Sequence, residues 1–470
     1  MHEFLELLGF DEKERQIQLP RISEVFSRLG ITEADIETAK ARLHLYFDMD
    51  LQGVRRMMGF LLKDMTDTVL LRDEGARKVV HACMAPGFEV LGTAINSNSQ
   101  DVRFIYPNFT FTAVLGGIFG RFVPVLEEAE RLWLRGGVVR HCGMVKTRVG
   151  LISLGILPRI DVTVTTGYLC DTSPKSNEIM QEVFGISAYC VDHVQDRQMA
   201  EYPDASRATV LSAKGMRRFS DILQKETGFE IDDDMMWQAL EARRPIGEAM
   251  DRVIDVMRLS DPAPLASTHL NALAAFARAP YKAGDIPAVV EVFDTLYAEL
   301  QERVRRGVGV LPKGAPRILV LCPNHHAEPR FEHLIHTMGL NIVASDFNFS
   351  SGHDRSGAGI TDPGDPYNVI CQHPHGTPGQ SLEGRIVIVL DVCRRLGIDG
   401  VIDHYHVGCR YMAADTLAIR DAITKELGIP VLAFEWDNFD PRSYDESDLA
   451  TKLEIFRGMM QTAQGTVKTC

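Results

Sequence analysis

Two Rossmann-like α/β domains with parallel sheets, wrapped by helical layers, are the fold class that this sequence predicts. Two observations point to it. Short β-branched runs alternate with helical stretches in two separate parts of the chain, the rhythm of parallel strands joined by crossover helices. The chain is also 470 residues long, more than one hydrophobic core usually serves.

Residues 1–100 read as a helical N-terminal region. ISEVFSRL, ADIETAKARLHLYF and GVRRMMGFLLKDM place apolar side chains at three- and four-residue spacing, and Thr32, three residues before Asp35, is a candidate N-cap. Residues 101–206 follow as a first α/β domain. Its expected strands are RFIYP, GGVVRHC, IDVTVTTGYLC and ISAYCVDH, with helices over FTAVLGGIFGRFVPVLEEAERLWL and SNEIMQEVFG. Residues 207–312 return to helical spacing and read as a linker layer between the sheets. Pro312, Gly314 and Pro316 break the chain before a second α/β domain, 313–470. Its strands are RILVLC, NIVASDF, DGVIDHYH and PVLAFEWD. The two α/β domains resemble each other in length and rhythm, which suggests duplication.

Composition narrows the function. Apolar residues make up 45% and charged residues 24%, the balance of a globular protein rather than a disordered or fibrous one. A net charge of −14 argues against a nucleic-acid surface, which needs clustered Lys and Arg. The first residues, MHEFLELLGFDEKERQ, do not read as a secretory signal, and no apolar run is long enough for a membrane helix. A cytoplasmic protein without membrane contact is expected.

In a reducing compartment, nine cysteines are core residues, reactive thiols or metal ligands rather than disulfides. Three fall where ligands bind in doubly wound sheets, at the carboxyl ends of strands. Cys142 ends GGVVRHC, Cys170 ends VTTGYLC and Cys409 follows GVIDHY. If the two sheet edges face each other, these thiols meet in the interdomain cleft. Thr172 or Ser173 is placed to cap a helix starting near Pro174, and Cys409 opens another helix beside Arg410; both settings favour a thiolate. Three soft thiolates select zinc or an iron–sulfur cluster. Other candidates for the cleft are His404 and His406, Cys322 with His325 and His326, Cys371 with His373 and His375 in a Gly/Pro-rich loop, and Glu435 and Asp437. Asp440, which precedes Pro441, reads as structural. The sequence has no P-loop, no dinucleotide GxGxxG after the early strands, no GxSxG elbow and no HExxH.

With these residues in view, the chain resembles the benzoyl-CoA reductase and 2-hydroxyacyl-CoA dehydratase family over roughly residues 100–465. The C-terminal stretch DGVIDHYHVGCRYMAADTLAIRDAITKELGIPVLAFEWDNFDPRSYDESDLATKLEIFRGMM carries most of the resemblance, with HCGMVKTRVGLISLGILPRIDVTVTTGYLCD supplying two further cysteine positions. The stretch RILVLCPNHHAEP and the loop from Asp362 to Pro366 look most like the larger benzoyl-CoA reductase subunit. The resemblance implies that Cys142, Cys170 and Cys409 hold a [4Fe–4S] cluster in the interdomain cleft, with one iron open to water or to the carbonyl of a CoA thioester. It also implies a separate ATP-hydrolysing iron–sulfur activator that delivers single low-potential electrons, and a homologous second subunit or a homodimer. The related double-cubane proteins, which use six cysteines to hold an [8Fe–9S] cluster, are the alternative that Cys190, Cys322 and Cys371 keep open. A zinc-binding or metal-free scaffolding subunit is the reading from a different functional class.

Overall fold

The computed structural model describes all residues except 84, 86, 137–140, 168, 169, 171, 193–205, 322–326, 346–363, 376–381, 407 and 468–470. Two all-parallel sheets frame it. The first contains β1 (Lys78–Cys83), β2 (Val102–Ile105), β3 (Val162–Thr166) and β4 (Ser187–Val191) in the order β2-β1-β3-β4. The second contains β5 (Arg317–Leu321), β6 (Asn341–Ser345), β7 (Gly400–Tyr405) and β8 (Val431–Glu435) in the order β6-β5-β7-β8. The two orders are equivalent. Each places its switch point between its first and third strands, where connections leave in opposite directions and open a crevice at the strand ends.

Seven of the eight strands lie where β-branched runs predict them. The exception is β1, which pairs with both β2 and β3 yet falls in the region expected to be helical. The run Val79–Val80 is short and sits between two long helices, Gln52–Leu70 and Phe88–Asn98, so helical spacing on both sides masks it. The expected strand GGVVRHC is not seen among the described residues. Helix Val123–Gly136 covers its first residue, 137–140 lie outside the described residues, and Cys142 is instead the N-cap of helix Gly143–Ser153. Met144, Val145 and Val149 are buried at helical spacing, and that periodicity prevails.

Local signals fix several helices. The Thr32 cap is present: its hydroxyl accepts from the Asp35 N–H while the Asp35 carboxylate accepts from the Thr32 N–H, opening helix Glu33–Tyr46. Gly428, with φ of 67°, ends helix Arg410–Leu427 in the left-handed conformation that glycine tolerates best.

The helices of 207–312 reach both sheets, helix Ser206–Thr227 touching β4 and helix Asp233–Leu259 touching β6. Helices Asp233–Leu259, Leu270–Arg278 and Ile286–Arg305 share one continuous core with the N-terminal helices and the first sheet. The Phe60 and Phe276 rings meet at 5.6 Å, and Gly53 lies so close to the Leu296 backbone that a Cβ there would stand 2.6 Å from the Leu296 Cα. Helix Pro366–His375 joins the same core through Tyr367, Ile370 and Cys371, so Cys371 lies in a helix and not in a loop. The Asp365 carboxylate, accepting from the Tyr367 N–H at 2.9 Å, supplies the start that the surrounding glycines and prolines hide. Among the described residues no helix is long and apolar enough to cross a membrane.

Helices Val123–Gly136 and Gly143–Ser153 pack at a glycine. A Cβ on Gly150 would overlap the Val125 carbonyl oxygen. Gly150→Ala is therefore expected to push these helices apart and lower stability by ~1–3 kcal/mol in urea unfolding. An unchanged midpoint would show that this contact is not needed.

Candidate metal centre

The switch points bring thiols together. Cys83 is the last residue of β1, Cys170 follows β3, and Cys409 follows β7 as the N-cap of helix Arg410–Leu427. Cys142 caps helix Gly143–Ser153, which leads into β3. Burial pushes the Cys142 thiol well above its usual range, and the charges of Cys170, Asp437 and Cys409 push it further. Cys142 thus lies within electrostatic reach of Cys170 from the first α/β unit and of Cys409 from the second.

Each of these three cysteines is set at or just before a helix start. The Cys170 sulfur accepts from the Ser173 N–H at 3.1 Å and lies 3.1 Å from the Thr172 hydroxyl. Thr172 and Ser173 are the first residues of helix Thr172–Lys175 and not caps of a helix starting near Pro174; both contact the sulfur. The Cys142 carbonyl accepts from the Val145 and Lys146 N–H groups, while the Cys409 N–H donates to the His406 carbonyl at 2.8 Å. The side chain of Arg410 lies outside the described residues.

The two units are joined beside Cys142. The Gly143 N–H donates to Asp437 Oδ2 at 2.9 Å, and Asp437 Oδ1 accepts from the Phe439 N–H at 3.1 Å. Glycine is required at 143 because a Cβ would stand 2.7 Å from the Phe439 backbone. Burial raises the Asp437 carboxyl above the usual range, opposed by His406 and by these N–H groups. His406 Nε2 lies 3.6 Å from Asp437 Oδ2, with Gly408 leaving room for the ring. A second tie runs from Arg442 to Glu130 at 2.7 Å, which Lys146 also reaches at 2.7 Å. Asp440 caps the turn Pro441–Ser443 and pairs with Arg442 at 2.6 Å, the structural role its position suggests.

Other candidates sit elsewhere. His404 is fully buried and packs edge-on against Phe331 at 5.2 Å and Trp436 at 5.1 Å, as a core residue does. Glu435 is exposed at the end of β8. Cys190 is exposed on the edge strand β4, its sulfur 3.8 Å from Asp192 Oδ1. Cys371 is sealed in the core, which pushes its thiol up to about 12. Cys322, His325 and His326 lie outside the described residues, as do the side chains of His373 and His375. Among the described residues no three His, Cys, Asp or Glu side chains are grouped to hold a single metal ion.

Sequence reasoning missed two residues. Cys83 is buried against Ser173, whose hydroxyl lies 3.8 Å from the Cys83 sulfur, and the Cys170 charge acts on it. Its signal was available: like Cys170 and Cys409, it ends a β-branched run. Arg148 is fully buried beneath these residues, and nothing in KTRVG announces it.

The sequence of this two-sheet chain matches a known family. The family model described as "2-hydroxyglutaryl-CoA dehydratase, D-component" matches residues 138–460, more than half of the chain, and the chain belongs to that family. Among relatives, YjiM of Escherichia coli (strain K12), whose name is that of a dehydratase subunit, is 23% identical over 71% of this chain and 83% of its own length. The (R)-phenyllactyl-CoA dehydratase alpha subunit of Clostridium sporogenes is 20% identical over 76% of this chain and 85% of its own. A benzoyl-CoA reductase subunit of Thauera aromatica is 25% identical over 36% of this chain and 41% of its own.

The tie at Glu130 makes a pH prediction. Hydrogen bonds from Arg442, then Lys146, hold the Glu130 carboxyl at about 2, below its usual 4.5. A lowered folded-state value stabilises above the unfolded one, so the contribution is complete above about 4.5 and disappears as pH falls toward 2. Because the pair is partly exposed, Glu130→Gln is expected to cost only ~1 kcal/mol at neutral pH. It should also flatten the acid limb of the stability profile in that window; an unaltered limb would remove Glu130 from the interdomain tie.

Proposed function

We propose that this chain is an iron–sulfur subunit of an anaerobic acyl-CoA dehydratase or aryl-CoA reductase, in which Cys142, Cys170 and Cys409 hold a [4Fe–4S] cluster by three thiolates. The observation that supports the reading is the place of Cys142 at the joint between the two α/β units, where Gly143 bonds Asp437 and the charges of Cys170 and Cys409 both act on the Cys142 thiol. Buried thiols crowded together resist ionisation, and a cationic metal core supplies the charge that makes them thiolates. The donor set is soft and suits iron–sulfur chemistry. A cubane, whose thiolates bind separate irons, also accepts donors set wider apart than a mononuclear ion does.

A centre of this kind supplies single low-potential electrons. The chain's own residues would do the remaining work. Helix N-termini at Gly143 and Arg410 and the Ser173 N–H would orient and stabilise thiolate sulfur. The Asp437 joint would hold the two units at fixed spacing, and the buried walls would exclude water. By family membership and the names of its relatives, the substrate class is a CoA thioester. The electron donor would be an ATP-hydrolysing iron–sulfur activator, consistent with a chain that has no P-loop, and the partner a homologous second subunit or a second copy. The proposed location is the cytoplasm. The double-cubane alternative asks for three further cleft thiols, and the placement of Cys371 in the core weighs against it.

The test is iron, acid-labile sulfide and zinc per chain on anaerobically purified or reconstituted protein. About four irons and four sulfides are expected, with each of Cys142→Ser, Cys170→Ser and Cys409→Ser losing most of both. Zinc, or no metal after reconstitution, would overturn the reading, and about eight irons would move it to the double-cubane branch.

A further inference from the structure

Beside the thiols lies a guanidinium that pairs with no carboxylate among the described residues. Arg148 projects from helix Gly143–Ser153, the helix that Cys142 caps, and is fully buried. Its Nη1 donates to Ser176 Oγ at 2.7 Å, and its Nη2 donates to Thr163 Oγ1 at 2.7 Å and Asn177 Oδ1 at 2.9 Å. The Nε–H is buried without a hydrogen-bond partner. All three acceptors are neutral, and no carboxylate among the described residues pairs with the cation. His81, which shares the Thr163 hydroxyl at 2.9 Å, is held neutral by burial and by the Arg148 charge.

The hydrogen-bond chain from Arg148 leads to the thiols. Ser176, which receives Nη1, donates through its hydroxyl to the Ser173 carbonyl at 2.6 Å. Ser173 in turn gives its N–H to the Cys170 sulfur and sets its hydroxyl beside the Cys83 sulfur. Among the described residues, the Cys83 thiol is the group whose negative charge would act on Arg148. A buried, unpaired cation is expensive, and proteins keep one where a counter-charge is to be met.

Arg243 makes the contrast. It too is buried, but its guanidinium staples the backbone carbonyls of Ala277 and Ala279 at 2.7 and 2.9 Å and feels the Glu89 carboxylate. Arg243 has a structural reason to be where it is. Arg148 has hydroxyls and an amide around it and thiols beyond.

We infer that Arg148 is a positioning residue of the thiol site: its buried charge is the counter-ion of the anionic centre held by Cys142, Cys170 and Cys409, and it favours that centre's reduced form. The inference rests on the iron–sulfur reading above. Reduction adds one negative charge to a thiolate–iron–sulfur centre, so a fixed cation in a low-dielectric surround stabilises the reduced state more than the oxidised one. Removing the cation should leave the ligands in place and make the centre harder to reduce.

The experiment uses the anaerobically reconstituted full chain as wild type, Arg148→Gln, Arg148→Met, Arg148→Lys and Arg243→Met. Circular dichroism melts establish folding, iron and sulfide content establish loading, and a redox titration followed by electron paramagnetic resonance reads the centre. At the wild-type midpoint potential, Arg148→Gln and Arg148→Met are expected to lower the ratio of reduced to oxidised protein by about tenfold or more. Arg148→Lys should fall between them and wild type, and Arg243→Met should titrate as wild type. Arg148→Gln can still bond Thr163 and Ser176, so it decides the matter if the methionine variant does not fold. Folded Arg148→Gln protein that loses its iron while Arg243→Met keeps it would make Arg148 a structural support of the ligands and overturn the counter-ion role. Folded, loaded Arg148 variants that titrate with wild type, or an equal shift in Arg243→Met, overturn it. A wild-type chain that takes up no iron fails a different claim, that this is an iron–sulfur protein at all.

Discussion

The arrangement depends on one joint, the N-terminus of helix Gly143–Ser153 docked on the loop after β8. A free helix N-terminus needs an acceptor, and Asp437 provides it from the other α/β unit. The loop then comes so near that residue 143 has room for no side chain. Hydrogen bond and steric fit together define where Cys142 stands relative to Cys409. Without the joint the two sheets would still be complete, each with its own core strands, but their switch points would carry thiols with no fixed spacing between them. The Glu130–Arg442–Asp440 pairs reinforce the same seam from the surface side.

Much of this architecture is legible in the sequence because buried parallel strands announce themselves. A strand covered on both faces has no polar side, so RILVL, NIVAS and GVIDHY read as continuous runs. The same rule exposes its own limit at β1. KVVHAC is as buried as the others, yet helical periodicity on both sides outweighs six residues. The run before Cys142 fails the other way: two valines suggest a strand where the next helix has already been set by Met144, Val145 and Val149. Cys170 and Cys409 stood out in the sequence because they follow strands, where doubly wound sheets bind ligands, whereas Cys142 was picked out by a strand that the structure replaces with a helix start. Arg148 was not legible, because its meaning lies in the absence of a partner, and an absence is visible only once neighbours are known. The same holds for Cys371, whose loop-like composition gives no sign of the Asp365 cap that starts its helix.

The electrostatics of the site follow from burial more than from charge content. The chain carries an excess of acid, yet Asp437, whose charge acts on the Cys142 thiol, is occupied by two N–H groups and faces His406. Thiols in such a place stay protonated until something positive arrives. Among the described residues the helix starts at Gly143 and Arg410 supply dipolar positive charge, and the guanidinium of Arg148 adds a full charge set behind them. Partial charges at the sulfurs and a whole charge at a remove favour thiolates bound to a metal core without offering an ion pair that would compete with it.

The equivalence of the two sheets explains why the thiols fall where they do. Cys170 is the fourth residue after Thr166, the end of β3, and Cys409 is the fourth after Tyr405, the end of β7. Those strands hold the same place in their sheets, so two of the cysteines occupy corresponding positions in two copies of one topology. The first strands continue the pattern in sequence: Cys83 ends β1, and Cys322 immediately follows β5. Cys142 stands outside the repeat. It comes from the helix that makes the interdomain joint, and so it is the thiol whose position records the docking of one half on the other. A repeated topology places a thiol at each switch point, but only an asymmetric contact between the halves can make two separate crevices into one site.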